Sequence, residues 1–240
     1  SAQGLLRVEG PARAEAGPGA SAHRRQARRP TTARAAPARQ SAQALAVLGG
    51  IVRGKSVTLR TPTEADLPLV NAWLADMRVR RGGHRWEEPA ALETWKERFK
   101  EAAKAEHMVL WVVEAEGKAA GIVRVEFWHE PPGGAAIHFF VIDPAVWRRG
   151  YGWDAALALH RYLFEYCDLK VVAATLPADN AGGLRIAERL GYREFGHGHD
   201  VHYRDGAYAD QLEMRFDRAV WDERWSGERE YAPLAPDVTR

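Results

Sequence analysis

The sequence predicts an α+β domain with a central, largely antiparallel sheet flanked by helices. Three observations lead there. Strand-like runs joined by hairpin punctuation fill the middle of the chain, and helical patterns precede and follow them instead of alternating with every strand. The 240 residues are 46% apolar, enough for one ordinary core plus extensions.

Taken in order, residues 1–50 hold eight Arg against Glu9 and Glu15 and no aromatic residue, a balance of +6 that leaves −4 on the other 190. Such a composition buries too little surface to offset its chain entropy, so a disordered tail is expected. Arg24, Arg25, Arg28 and Arg29 alternatively suit an acidic or RNA surface, or a targeting leader. The folded domain is expected over 51–218, with a helix and tail over 219–240. Order is expected from Ser56, with Val57 to Arg60 as a strand before Thr61-Pro62. Thr63 and Asp66 form a capping-box pattern, and Leu67, Val70, Trp73, Leu74 and Met77 share one helical face. A polar loop over Arg78 to Glu88 leads to a helix opened by Pro89, with Leu92, Trp95 and Phe99 at helical spacing.

Met108 to Glu114 and Ala120 to Trp128 read as strands joined at Glu116-Gly117-Lys118, and Ala136 to Ile142 as a third. A turn over Trp147 to Gly152 opens a helix from Trp153 to Tyr166. Lys170 to Leu176 then reads as a strand, Ala181 to Leu190 as a helix stopped by Gly191, and Tyr208 to Phe216 as a final strand. Trp221 and Trp225 mark a short terminal helix.

Several classes of chemistry are disfavoured. Cys167 is the lone cysteine, so no intramolecular disulfide or paired-cysteine metal site can form, and a reducing cytoplasmic setting is expected. No apolar run reaches the roughly 18 residues of a membrane span, so no membrane partner is expected. Only the basic tail speaks for nucleic acid, which is not an expected partner. His197, His199 and His202 lack an evident further ligand, and no metal is expected.

The turn into the Trp153 helix carries the main chemical signal. Gly150 and Gly152 let backbone N–H groups converge on an anion at a helix N-terminus, with Arg148 and Arg149 adding charge. It lacks the Gly-Lys-Ser/Thr ending of a Walker loop and the three spaced glycines of a dinucleotide fingerprint. A tight connection between strand and helix would use the same glycines. Asn180 heads the next helix, where it suits a cap as well as a ligand contact.

Ile142-Asp143-Pro144, Trp147 to Gly152, Asn180 and Leu190-Gly191-Tyr192 together resemble the GNAT acetyltransferases. Val57 to Arg60, Arg204 to Asp210 and Trp221 are similar to its RimJ/RimL branch, over residues 51 to about 225. The resemblance implies the GNAT-type acyl-CoA N-acyltransferase fold with acetyl-CoA as co-substrate. It implies a mixed sheet splaying after Val141 and Ile142 with pantetheine in the gap, pyrophosphate on the backbone of Arg148, Arg149, Gly150, Tyr151, Gly152 and Trp153, and Asn180 near the pantetheine. The implied acceptor is a primary amine, a protein N-terminus in this branch, with aminoglycosides or polyamines as the alternative and a monomer or homodimer as the assembly. A CoA-binding regulatory protein without turnover is the rival, because the sequence departs from the family at catalytic positions. Ala187 stands where many members have a tyrosine acid, Gly183 where the branch has serine, and Ile137 where the central strand carries an acidic residue; Trp147 and Trp153 are also departures. Candidate bases are therefore His138 and Glu126 on adjacent strands, and His202, which aligns with a glutamate of some amino-terminal acetyltransferases. Glu87 and Glu88 border the expected acceptor cleft, as attractors of a cation or as a solvated helix start.

Overall fold

The computed structural model describes residues 50–83, 91–102, 104–105, 107–128, 133–204 and 206–226. They fall in the second of the two units into which the chain divides, Gln43–Arg240. The tail over 1–49, Glu87, Glu88 and Pro89 lie outside the described residues, as does 227–240.

Eight strands form one sheet: β1 (Val52–Arg53), β2 (Val57–Arg60), β3 (Met108–Ala115), β4 (Lys118–Phe127), β5 (Ala135–Ile142), β6 (Val171–Pro177), β7 (Arg193–Arg204) and β8 (Ala207–Asp217), in the order β1-β2-β3-β4-β5-β6-β8-β7. Every neighbouring pair is antiparallel except β5 and β6. That parallel pair needs a crossover, supplied by α4 (Tyr151–Arg161), which continues as a wider π turn over Tyr162–Tyr166. Helices α1 (Leu67–Ala75), α2 (Met77–Gly82) and α3 (Leu92–Ala102) follow β2, α5 (Ala181–Leu190) follows β6, and α6 (Arg218–Arg224) follows β8.

Strand alternation sorts side chains onto two cores. On one face, Trp111, Leu159, Leu163, Phe164, Phe216 and Trp221 are fully buried between the sheet, α4 and α6. Each contributes about 1.5–3 kcal/mol by leaving water. On the other, Val70, Trp73 and Leu74 of α1 pack on Val112, Ile122 and Val141. One buried carboxylate joins α4 to the sheet edge. Asp154, in the first turn of α4, accepts from the Lys55, Ser56 and Val57 N–H groups at 3.0, 2.6 and 3.0 Å and from Ser56 Oγ at 2.9 Å.

Four expectations are corrected. Pairing begins at Val52 and not Ser56, because β1 and β2 form a short hairpin closed by the Gly54–Val57 backbone bond. Met77 is 61% exposed and starts α2, because Asp76 leaves the helical conformation and caps a new helix through Arg78 N–H. That helix takes up the first part of the polar loop expected from Arg78. The helix expected from Trp153 starts two residues earlier, at Tyr151, while residues 193–204, where the sequence leaves a second terminal strand open, form the outermost strand β7. No described helix is long and apolar enough to cross a membrane.

Candidate active site

The site begins where the sheet opens. β5 and β6 pair only from Ala135↔Val171 to Ile137↔Ala173, and then diverge. The gap thus starts at His138, ahead of the Val141 and Ile142 position expected, because β6 continues in register with β8 up to Pro177 while β5 follows β4. Asp143 N–H donates to Ala120 on β4 at 2.8 Å, and backbone groups alternate along an antiparallel strand. Ile142, Phe140 and His138 therefore turn their N–H and C=O groups to the gap, while Val141 turns its own to β4. Val141 thus does not offer its backbone to the gap, contrary to expectation. The Ile142 carbonyl is taken by Trp147 Nε1 at 2.7 Å, which gives that tryptophan a positioning role.

Below the gap lies the turn into α4. Arg148 has φ 66° and Gly150 φ 87°, two left-handed residues at the start of a helix of 11 residues, a backbone geometry that can turn N–H groups towards an anion. Arg149 and Tyr151 lean towards the β3–β4 turn, where Tyr151 Oη donates to Glu116 at 2.6 Å and Arg149 lies 4.0 Å from the same carboxylate. Trp153 is covered by the Arg189 guanidinium, 3.7 Å from its ring centre, and by Trp225. Tyr151 and Trp153 are committed to the protein, so the turn offers backbone and the charges of Arg148 and Arg149.

Asn180 spans the top of the gap. Its Oδ1 accepts from Gly183 N–H at 2.9 Å, capping α5, and its Nδ2 donates to the Gly82 carbonyl at the end of α2 at 2.6 Å. The capping role is present, and the second bond ties α2 to α5 across the cleft. A Cβ on Gly183 would lie 2.8 Å from Asn180 Nδ2, so this arrangement leaves no room for the branch serine.

The gap opens into a cleft of about 910 Å³ that extends under α1 and α3. Glu126 lines it from β4, with its carboxylate 3.2 Å from Arg124 Nε, and Trp95, Phe99, Trp128 and Phe139 form much of the wall. Asp66 also borders the cleft. It is held by Arg60 at 2.8 Å and by Thr63, and the Arg60 bond lowers its pKa to about 2.

His138 lines the cleft but is locked from behind. His160 Nδ1 lies 2.6 Å from the Ala156 carbonyl, which can only accept, so that nitrogen carries the proton. His160 Nε2 then accepts from Tyr192 Oη at 2.5 Å, and Tyr192 in turn accepts from His138 Nε2 at 2.8 Å. Burial holds His138 well below its ordinary pKa and His160 down to about 4, so both are neutral. His202 is not brought to the cleft. It stands on the outermost strand, its Nε2 3.0 Å from Gln211 Oε1, so the structure separates it from Glu126 and His138.

Residues 56–193 match the family model for the acetyltransferase (GNAT) domain, more than half of the chain. The chain belongs to the GNAT acetyltransferase family. Family membership makes acetyl-CoA the acetyl donor of this acetyltransferase and an amine its acceptor. Among solved structures, it is similar to the spermidine N-acetyltransferase from Vibrio cholerae in complex with CoA and spermine, at 19% identity and TM-score 0.62 over 69% of this chain and 98% of that one. It is also similar to RimL, a ribosomal alpha-N-protein acetyltransferase in complex with coenzyme A, at 15% identity and TM-score 0.61 over 70% and 97%. A GNAT-family acetyltransferase from Bacillus anthracis aligns at 18% identity and TM-score 0.59 over 70% and 99%. At these identities the likeness shows the shared fold. No curated protein matches the chain in sequence.

Proposed function

We propose that this acetyltransferase belongs with the RimJ/RimL branch, works in the cytoplasm, and acetylates a protein N-terminal amine, with Glu126 as the proton acceptor. One observation supports the acceptor class above others: the cleft beyond the gap is walled by Trp95, Phe99, Trp128 and Phe139, with Glu126 as the carboxylate on its β4 floor. Such a wall suits one ammonium flanked by apolar groups, as in a peptide terminus. A polyamine carries several ammonium groups and calls for several carboxylates; Asp66 is held by Arg60, which leaves Glu101 and Glu126 among the described lining residues.

Acetyl-CoA supplies an activated thioester, and this chain's residues do the rest. The N–H groups of the Arg148–Trp153 turn hold the pyrophosphate, and the edge of β5 from His138 to Ile142 aligns the pantetheine. Glu126 draws the acceptor in and takes the ammonium proton, freeing the lone pair for attack on the thioester carbon. A gap-facing N–H of β5 stabilises the developing oxyanion. Ala187 carries no hydroxyl, so water relays the second nitrogen proton of the adduct to the departing thiolate as the C–S bond breaks.

Thiol release with saturating acetyl-CoA, measured on N-terminal peptides, spermidine and an aminoglycoside, tests the reading. Turnover is expected with peptides whose first residues are apolar. Faster turnover of spermidine or the aminoglycoside would overturn the acceptor class, and binding of acetyl-CoA without turnover on any of a broad panel of amines would favour the regulatory rival.

A further inference from the structure

Along the β7–β8 hairpin, Gly198 pairs with Gln211 and His202 with Ala209, which leaves His199, Asp200 and Val201 opposite Asp210 alone. A bulge of this size re-aims side chains that regular alternation would separate. Here it wraps the chain round one carboxylate. Asp200 N–H donates to Asp210 Oδ1 at 3.0 Å, while Asp210 Oδ2 faces His197 Nε2 at 2.9 Å and His199 Nδ1 at 3.2 Å. The sequence alone leaves these histidines without a further ligand, and the fold supplies one.

The three ligand atoms lie within 4.8 Å of one another. A tetrahedral ion with bonds of about 2.0–2.2 Å spaces its ligands roughly 3.3 Å apart, close to the separations Asp210 makes here. The surroundings match as well. His197 Nδ1 lies 3.1 Å from Glu194 Oε1 and Nε2 faces Asp210, so both nitrogens carry protons towards carboxylates; an ion would displace the Nε2 proton while Glu194 holds the one on Nδ1, the carboxylate–histidine–metal pattern. The two imidazoles stack with centres 4.5 Å apart, and His199 is exposed, leaving a side open for water as a fourth ligand.

We propose that His197, His199 and Asp210 form a binding site for a zinc-like divalent transition-metal ion that clamps the hairpin bulge. None of the three lines the acetyl-transfer cleft. Two nitrogen donors favour such an ion over calcium or magnesium, which take oxygen ligands.

The test uses the full chain, stripped with a chelator, titrated with Zn²⁺ by calorimetry and with Co²⁺ by visible absorption. One saturable site is expected, with Co²⁺ bands of four- or five-coordinate form. His199→Ala and Asp210→Asn should each weaken Zn²⁺ binding by about tenfold or more, Glu194→Gln by about tenfold, and His202→Ala not at all. Asp210→Asn keeps an oxygen for the Asp200 N–H, so the hairpin persists, as unchanged circular dichroism would verify. Absence of a saturable Zn²⁺ site, binding undiminished in Asp210→Asn, or equal loss in His202→Ala would overturn the assignment.

Discussion

Glu126 stands directly across the β4–β5 ladder from Ile137, on the same face of the sheet. Opposed residues in such a ladder have Cβ atoms about 4.5–5.5 Å apart. Glu126 thus places a carboxylate one strand over from the position where the resemblance implies an acidic residue, inside the cleft. Glu126→Gln is expected to lower kcat about 10²-fold, while acetyl-CoA still raises the melting temperature. Adding Ile137→Glu to that variant should restore part of the rate. His202→Ala should stay within about twofold of the parent. Equal rates for the parent and Glu126→Gln across pH 6 to 9 would remove Glu126 from the mechanism.

Asp154 gives a second prediction, on stability. It accepts three backbone N–H groups of the β1–β2 hairpin while only 4% exposed. Removing the acceptor leaves the buried Val57 N–H unpaired, at about 1–3 kcal/mol for such a group, and frees two part-buried donors that water can reach. Asp154→Ala is therefore expected to lose about 2–3 kcal/mol in urea unfolding. Acetyl-CoA should recover part of this loss, since the same helix begins at the turn proposed to hold the pyrophosphate. A loss below about 1 kcal/mol would show that water replaces the carboxylate.

Buried histidines set the acid limb of stability. His160 has a pKa of about 4 in the fold against an ordinary 6.5, and His138 is shifted the same way. Between these values the unfolded chain binds the extra proton, so stability is full above about pH 6.5 and falls as pH drops towards 4. For His160 alone the loss by pH 4.5 is about 2–3 kcal/mol. Urea midpoints measured from pH 7 to 4.5 should fall less steeply for His160→Gln than for the parent. Parallel slopes would show that His160 is not the titrating group.

Local signals made most of this architecture legible. The capping box at Thr63 and Asp66, the Glu116-Gly117 hairpin and the Gly191 stop are short-range chemistry, and each appears where the sequence puts it. The fold hid what depends on residues far apart in the chain. Asp154 carries no local mark of its role, because its partners lie about a hundred positions away. The His138–Tyr192–His160 chain joins three elements and left no periodic trace. β7 was obscured by glycines and a bulge, which break the alternation that marks a strand. His202 matches a glutamate of the family only in sequence, and the tertiary structure holds it outside the cleft.

Gly150 provides the last prediction. Its φ of 87° lies in the left-handed region, and no atom lies within 4 Å of where a Cβ would stand. A side chain there meets no protein obstacle, so conformation alone decides the free protein's response. Valine is strongly disfavoured at such a φ, whereas asparagine tolerates it. Gly150→Val should disrupt this turn and weaken acetyl-CoA binding at least about tenfold by calorimetry. Gly150→Asn separates two causes. If it binds like the parent, the left-handed turn is what the pyrophosphate needs. If it fails as badly as valine, the bound phosphate itself occupies the Cβ position. Parent-like affinity in both variants would move the pyrophosphate away from this turn.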